Sequence, residues 1–214
     1  MKLVKRPYII WIDVDDVLVH FRPMFNRYLI KNYKFKIKPS HVAKDWTYSD
    51  VLPKNHEFMD YFNALPENWT ENQKIITGAK EFIDELRSMG FYLIFITSVP
   101  EKQIHYRIKN LSEHKLIYDE IYFTSRPKSF YANPAIKQFS NHDELKHILI
   151  DDRATNCVDF LTNVKNTIHT VSMDIKFNSK ELENKFLYNG KIDFTPKTSQ
   201  EMHQALLKYL KNLK

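Results

Sequence analysis

Four short apolar runs, each breaking off abruptly into polar residues, constrain this chain most: Tyr8 to Ile12, Phe91 to Ile96, Ile121 to Phe123 and His147 to Ile150. They are rich in β-branched and aromatic residues and too short for core helices, so they read as buried strands. Thr167 to Val171 is a fifth. Helical patterns fall between them: Ala79, Phe82, Ile83 and Leu86 share one face and stop at Gly90, just before the second run. Such alternation predicts an α/β fold, a Rossmann-like parallel sheet with helices on both faces, whose ligands sit outside the carboxyl ends of the strands. Functional residues should therefore follow the strands.

The 214 residues suffice for one substantial core and a small subdomain. About 78 residues separate the first two strands, far more than one crossover helix requires. They include Met24, Phe25, Tyr28 and Leu29 at helical spacing, and the aromatics Trp46, Tyr48, Phe58, Tyr61, Phe62 and Trp69. We expect a core domain of residues 1–20 and 91–214. A small helical cap, residues 21–90, is inserted after the first strand and includes the helix leading back into the core. Farther on, Thr198 and Glu201 stand in capping-box spacing ahead of Met202, Leu206, Tyr209, Leu210 and Leu213, which predicts an amphipathic helix packed on the sheet.

Several classes of protein are excluded. No apolar stretch approaches the roughly 20 residues a membrane helix needs. Lys2, Lys5 and Arg6 precede only five apolar residues, too few for a secretory signal. Cys157 is the single cysteine, so there is no internal disulfide and no thiolate metal cluster, and a reducing, cytoplasmic setting is expected. With only Gly78, Gly90 and Gly190, neither of the common glycine-rich phosphate loops can be written. The nine histidines form no H-E-x-x-H pair, which argues against zinc catalysis. The formal net charge of +6 favours anionic ligands.

The chemistry concentrates at two strand ends. Asp13-Val14-Asp15-Asp16-Val17 follows the first strand and Asp151-Asp152 follows the fourth. Burying unpaired acids is costly, so if these strands are neighbours the combined acids call for a cation. An all-oxygen donor set suits Mg²⁺, which takes one or two carboxylates and binds substrate phosphate oxygens as well. A carboxylate beside such an ion can attack phosphorus while a second one shuttles the proton.

These residues resemble the haloacid dehalogenase-like phosphohydrolases. That family's first motif, a hydrophobic strand followed by D-x-D-x-[TV], is matched by Asp13 to Val17; its second, a strand ending in Ser or Thr, by Tyr92 to Thr97 with Ser98 next. Its fourth, an acidic pair after a strand, is matched by Asp151-Asp152. The third is a lysine between the second and fourth, here Lys128, with Lys137 and Lys146 as competitors. The resemblance implies Asp13 as nucleophile and metal ligand, and Asp15 as the acid/base that also offers its backbone carbonyl to Mg²⁺. Thr97 would hold a phosphoryl oxygen and Lys128 would neutralise charge. Asp152 would complete the metal shell, with Asp151 as the alternative ligand or an orienting partner. The deoxyribonucleotidase branch is closer still: Asp13 to Phe21 reads DVDDVLVHF against D-x-D-G-V-L-x-D-F, and Thr97-Ser98 precedes Val99-Pro100. Phe21 then matches the aromatic that stacks on a nucleobase, and Ser98 joins the substrate site. Asp16 for Gly and His20 for Asp are the departures.

Plainer readings stand beside these. Asp13 and Asp15 could be solvated loop acids, Asp151 and Asp152 an acidic helix start, and Thr97 a helix cap. Lys128 could be a surface lysine, and Phe21 a core residue of the cap. Weighed together, the four ordered motifs favour a Mg²⁺-dependent phosphatase of small phosphate monoesters, above all (deoxy)nucleoside monophosphates. A nucleic-acid 3′-phosphatase and a catalytically silent nucleotide-binding module are the alternatives. Expected partners are a small phosphorylated substrate, with nucleic acid as the alternative and no membrane; a homodimer is left open.

Overall fold

The structure, a computed structural model, describes residues 7–45, 47–173, 191–193 and 195–213. Lys2, Lys5, Arg6 and Trp46 lie outside the described residues. Six parallel strands form one sheet: β1 (Tyr8–Ile12), β2 (Tyr92–Thr97), β3 (Glu120–Phe123), β4 (Lys146–Ile150), β5 (Thr167–Val171) and β6 (Ile192–Asp193). Their order is β3-β2-β1-β4-β5-β6, so β1 lies centrally between β2 and β4. The five expected strands are present. β6, two residues long, offers no pattern from which to predict it.

The centres of β1, β2 and β4 are continuously apolar because both faces of the sheet are covered there. Alternate residues point to opposite faces. Ile10, Ile12, Leu93, Phe95, Ile148 and Ile150 pack with α3 (Ala79–Ser88) and with α7 (Ser199–Lys211). Ile9, Trp11, Ile94, Ile96 and Leu149 pack with α5 (Lys128–Ile136) and α6 (Ala154–Asn163) on the other side. Between β2 and β3 runs α4 (Ile104–Glu113). The capping box expected ahead of α7 forms in part: the Thr198 hydroxyl accepts from the Glu201 amide at 3.2 Å, while the Glu201 carboxylate accepts from the amide of Lys197, not Thr198.

The insertion holds α1 (Arg22–Tyr33), α2 (Phe58–Asn63) and a 3-10 helix, Glu67–Asn72. Phe21, Phe25, Leu29, Ala43, Tyr48, Leu52, Tyr61 and Leu65 are the buried residues of a separate cluster, with Phe58, Phe62 and Trp69 among those packed against it. Its aromatics thus make a small core of their own. The helix α3, which leads from this segment back to the sheet, buries Ala79, Phe82, Ile83 and Leu86 in the main core. Its apolar face is continuous with the sheet's, whereas the aromatic cluster ends at Trp69. Among the described residues no helix is long and apolar enough to cross a membrane.

Candidate active site

Strand register assembles the site. Ile12 of β1 pairs with Ile150 of β4, so the next residues, Asp13 and Asp151, emerge side by side at the carboxyl edge. Backbone bonds fix both turns: the Asp13 amide donates to the Ile150 carbonyl at 3.0 Å, and that of Asp151 to Val171 at 3.1 Å. Thr97, the last residue of β2, closes the other flank. Beyond Asp13 the chain folds back tightly, with the Leu18 and Val19 amides donating to the Val14 carbonyl.

Lys128, at the start of α5, reaches into this edge. Its Nζ lies 2.7 Å from Asp13 Oδ1 and 2.5 Å from Asp151 Oδ2, with the lysine 3 % exposed. Lys137 ends the same helix, and exposed Lys146 opens β4 at the opposite edge, over the Tyr8 ring. Asp151 also accepts from the Arg153 amide at 2.8 Å and from the Asn156 side chain at 3.0 Å, so protein donors engage both of its oxygens. Thr97 is fully buried, and its hydroxyl has no hydrogen-bond partner among the described residues. Ser98 is exposed, its hydroxyl 2.7 Å from that of Thr124. Phe21 is 8 % exposed, stacked on Phe25 and tilted against Phe62 in the insertion's core.

Burial pushes the Asp13 carboxyl up to about 7 even with Lys128 beside it, and Asp151 and Asp15 add to the rise. Burial likewise pushes Asp152 well above the usual carboxylate range, against the pull of Arg22. Burial opposes the Lys128 charge, but Asp13 and Asp151 more than offset it and hold its pKa above the ordinary lysine range. Asp13, Asp151 and Asp152 each offer an oxygen, and these atoms lie within 4.8 Å of one another. Asp13, Asp15, Asp16, Asp151 and Asp152 face Lys128, Arg22 and Arg107: five formal negative charges against three positive. One divalent cation meets that deficit, and an all-carboxylate set suits a hard ion.

Four further residues shape the site. Asp16 adopts left-handed backbone (φ 56°), a conformation that glycine takes freely and that Asp tolerates better than most residues. Its carboxylate accepts from the Phe21 and Arg22 amides at 3.1 Å and from Arg22 Nε at 2.7 Å, holding the start of α1. Arg22 Nη2 is 3.6 Å from Asp152 Oδ2. On the opposite side of the loop, Asp15 Oδ1 accepts from Arg107 Nη2 at 2.6 Å and from Gln73 Nε2 at 3.0 Å. One local signal exists for these: Arg22 directly follows the DVDDVLVHF run. Arg107 and Gln73 are 92 and 58 positions from Asp15, and nothing local marks them.

No family model matches the sequence, and no curated protein matches it. Solved structures do match the fold. A haloacid dehalogenase-like family hydrolase of Streptococcus pneumoniae aligns over 94 % of this chain and 97 % of its own at 18 % identity, with a TM-score of 0.58. A predicted phosphatase of Clostridium acetobutylicum aligns over 97 % and 100 % at 20 % identity, with a TM-score of 0.58. A haloacid dehalogenase family hydrolase of Deinococcus radiodurans, solved with bound phosphate and sodium, aligns over 94 % and 96 % at 13 % identity and 0.57. With six parallel strands in this order and helices on both faces, the chain has the haloacid dehalogenase-like α/β fold.

Proposed function

We propose that this chain is a Mg²⁺-dependent phosphatase that hydrolyses small phosphate monoesters through an aspartyl phosphate on Asp13. The observation that carries this reading is the Asp13 carboxylate held 2.7 Å from the Lys128 ammonium, in a carboxylate cluster with a charge deficit of two. Asp13, Asp152 and the Asp15 backbone carbonyl would hold the ion. Bound there, it supplies charge neutralisation for a carboxylate approaching an anionic phosphoryl group. Asp151, already engaged by Lys128, Arg153 and Asn156, acts as the orienting partner.

In the first step an Asp13 carboxylate oxygen attacks phosphorus, and Asp15 protonates the departing oxygen. In the second, Asp15 takes a proton from water as it attacks the same phosphorus and frees Asp13. Lys128 and the hydroxyl of buried Thr97, without a partner among the described residues, bind phosphoryl oxygens, where developing charge is greatest. The preferred substrates are (deoxy)nucleoside monophosphates, a reading supported by the DVDDVLVHF run. The base would lie against the half-buried Phe62 and the small exposed edge of Phe21, and Ser98 would contact the substrate.

Phosphate release should be measured across nucleoside monophosphates, other small esters and a 3′-phosphorylated oligonucleotide, with and without Mg²⁺. Release is expected from the nucleotides, lost on chelation and at least about 10³-fold lower in Asp13→Asn. Turnover undiminished in Asp13→Asn overturns the mechanism. Release confined to the oligonucleotide overturns the substrate class.

A further inference from the structure

The resting geometry of Asp15 is unusual for a group that must give up and take back a proton. Both protein donors converge on one oxygen, Oδ1: Arg107 Nη2 at 2.6 Å and Gln73 Nε2 at 3.0 Å. Among the described residues no hydrogen bond reaches Oδ2, although the side chain is 20 % exposed. Arg107 is fully buried, Asp15 is its one carboxylate partner among the described residues, and its Nε and Nη1 have no acceptor there. A buried guanidinium in that position has little freedom to leave its carboxylate.

The donors are themselves fixed. Gln73 follows the 3-10 helix at the exit of the insertion, and Arg107 sits on α4. Buried Asn110, one turn on from Arg107, donates to the carbonyls of Glu71 at 3.0 Å and Gln73 at 2.8 Å. Thr70 donates to the Gln103 carbonyl, and Gln103 to that of Pro66. This polar seam ties the insertion's exit to α4 and ends at Asp15.

We propose that Arg107 and Gln73 are positioning residues that clamp Asp15 Oδ1, so that Oδ2 is the oxygen that carries the proton. This rests on the phosphatase reading. In the first half-reaction the P–O bond electrons go to the leaving oxygen, which receives the proton from Oδ2 as the Asp13 O–P bond forms. In the second, water oxygen bonds to phosphorus, its proton passes to Oδ2, and the Asp13 O–P bond breaks with its electrons returning to the carboxylate. Oδ2 ends protonated, as it began, and the clamp keeps it aimed through both transfers.

The test compares p-nitrophenyl phosphate, whose leaving group departs as the anion, with glycerol 2-phosphate, whose alkoxide needs the proton, both with Mg²⁺. In Arg107→Met and in Gln73→Leu, kcat for the glycerol ester should fall about 10²-fold with KM little changed. The first-turnover burst of p-nitrophenol should stay within about threefold of wild type, because that step needs no acid. Arg107→Lys should recover part of the loss. Equal losses in the burst and in glycerol ester turnover would mean a merely structural role and overturn the proposal, as would undiminished turnover of the glycerol ester. If Arg107→Met does not fold, Gln73→Leu tests the same oxygen by the same criteria. If wild type acts only on nucleoside monophosphates, whose leaving alkoxide also needs the proton, the same fall in kcat is read on those. Wild type that releases phosphate from neither ester nor any nucleoside monophosphate overturns both this inference and the phosphatase reading, whereas active wild type with unselective variants overturns the inference alone.

Discussion

Asp16 shows how one residue departs from a motif and still satisfies its geometry. The turn needs left-handed backbone there, and Asp accepts it at a cost of about 1 kcal/mol. In exchange its carboxylate satisfies two amides at the start of α1 and the Arg22 guanidinium. Asp16→Gly relieves the backbone, removes the cap and takes the nearer carboxylate from a largely buried arginine. A cap is worth about 1 kcal/mol and a buried ion pair more, so the variant should lose a net stability on the order of 2 kcal/mol. Asp16→Asn, which keeps the turn and part of the cap, should fall between it and wild type. Urea midpoints at equal m-value check both. A variant more stable than wild type would mean that backbone strain, not the ion pair, governs this position.

Whole elements explain what could be foreseen. The strands were legible because strands buried on both faces have continuous apolar runs, as in Ile9 to Ile12 and Ile148 to Ile150, and β1 and β4 are each followed by acids that their register brings together. The apolar face of α3, Ala79, Phe82, Ile83 and Leu86, was legible as a helix, but a face of that kind does not by itself say which core it packs on. Within α4 the charged Arg107 is fully buried, where it pairs with the carboxylate of Asp15 from the loop after β1. Such pairings depend on tertiary placement and leave no local periodicity. The C-terminal helix makes a similar distant connection: Ser199 and His203, one turn apart on α7, donate to the Asp16 and Val17 carbonyls, each at 2.7 Å. The helix thus braces the loop that bears Asp13 and Asp15. In a Ser199→Ala, His203→Phe double variant, the Leu18 and Val19 amides should exchange with solvent markedly faster. The amides of Ile10 and Ile148 in the sheet should be nearly unchanged, and residue-resolved hydrogen exchange reads both.

For the molecule as a whole, the buried histidines and the buried carboxylates of the site together shape the response to acid. Burial lowers His147, His169 and His203 to about 4, below the ordinary value of 6.5. Above that ordinary value both folded and unfolded chains are neutral at these positions and nothing is lost. As pH falls from there towards 4 the unfolded chain takes up protons that the folded one refuses, so stability declines across that window. Asp13 and Asp152, which burial raises, act in the opposite sense over part of the same range, so the wild-type curve alone mixes the two. His169→Phe separates them. The His169 ring stacks on Tyr209 at 3.8 Å, a contact phenylalanine can keep, and the carboxylates contribute equally to both proteins. At neutral pH the two should have similar stability. Near pH 5 the variant should be the more stable by on the order of 2 kcal/mol, seen as a melting temperature roughly 4 to 8 °C higher. A difference that does not grow as pH falls would mean that His169 protonates as readily in the folded chain as in the unfolded one, and that this part of the sheet edge admits water.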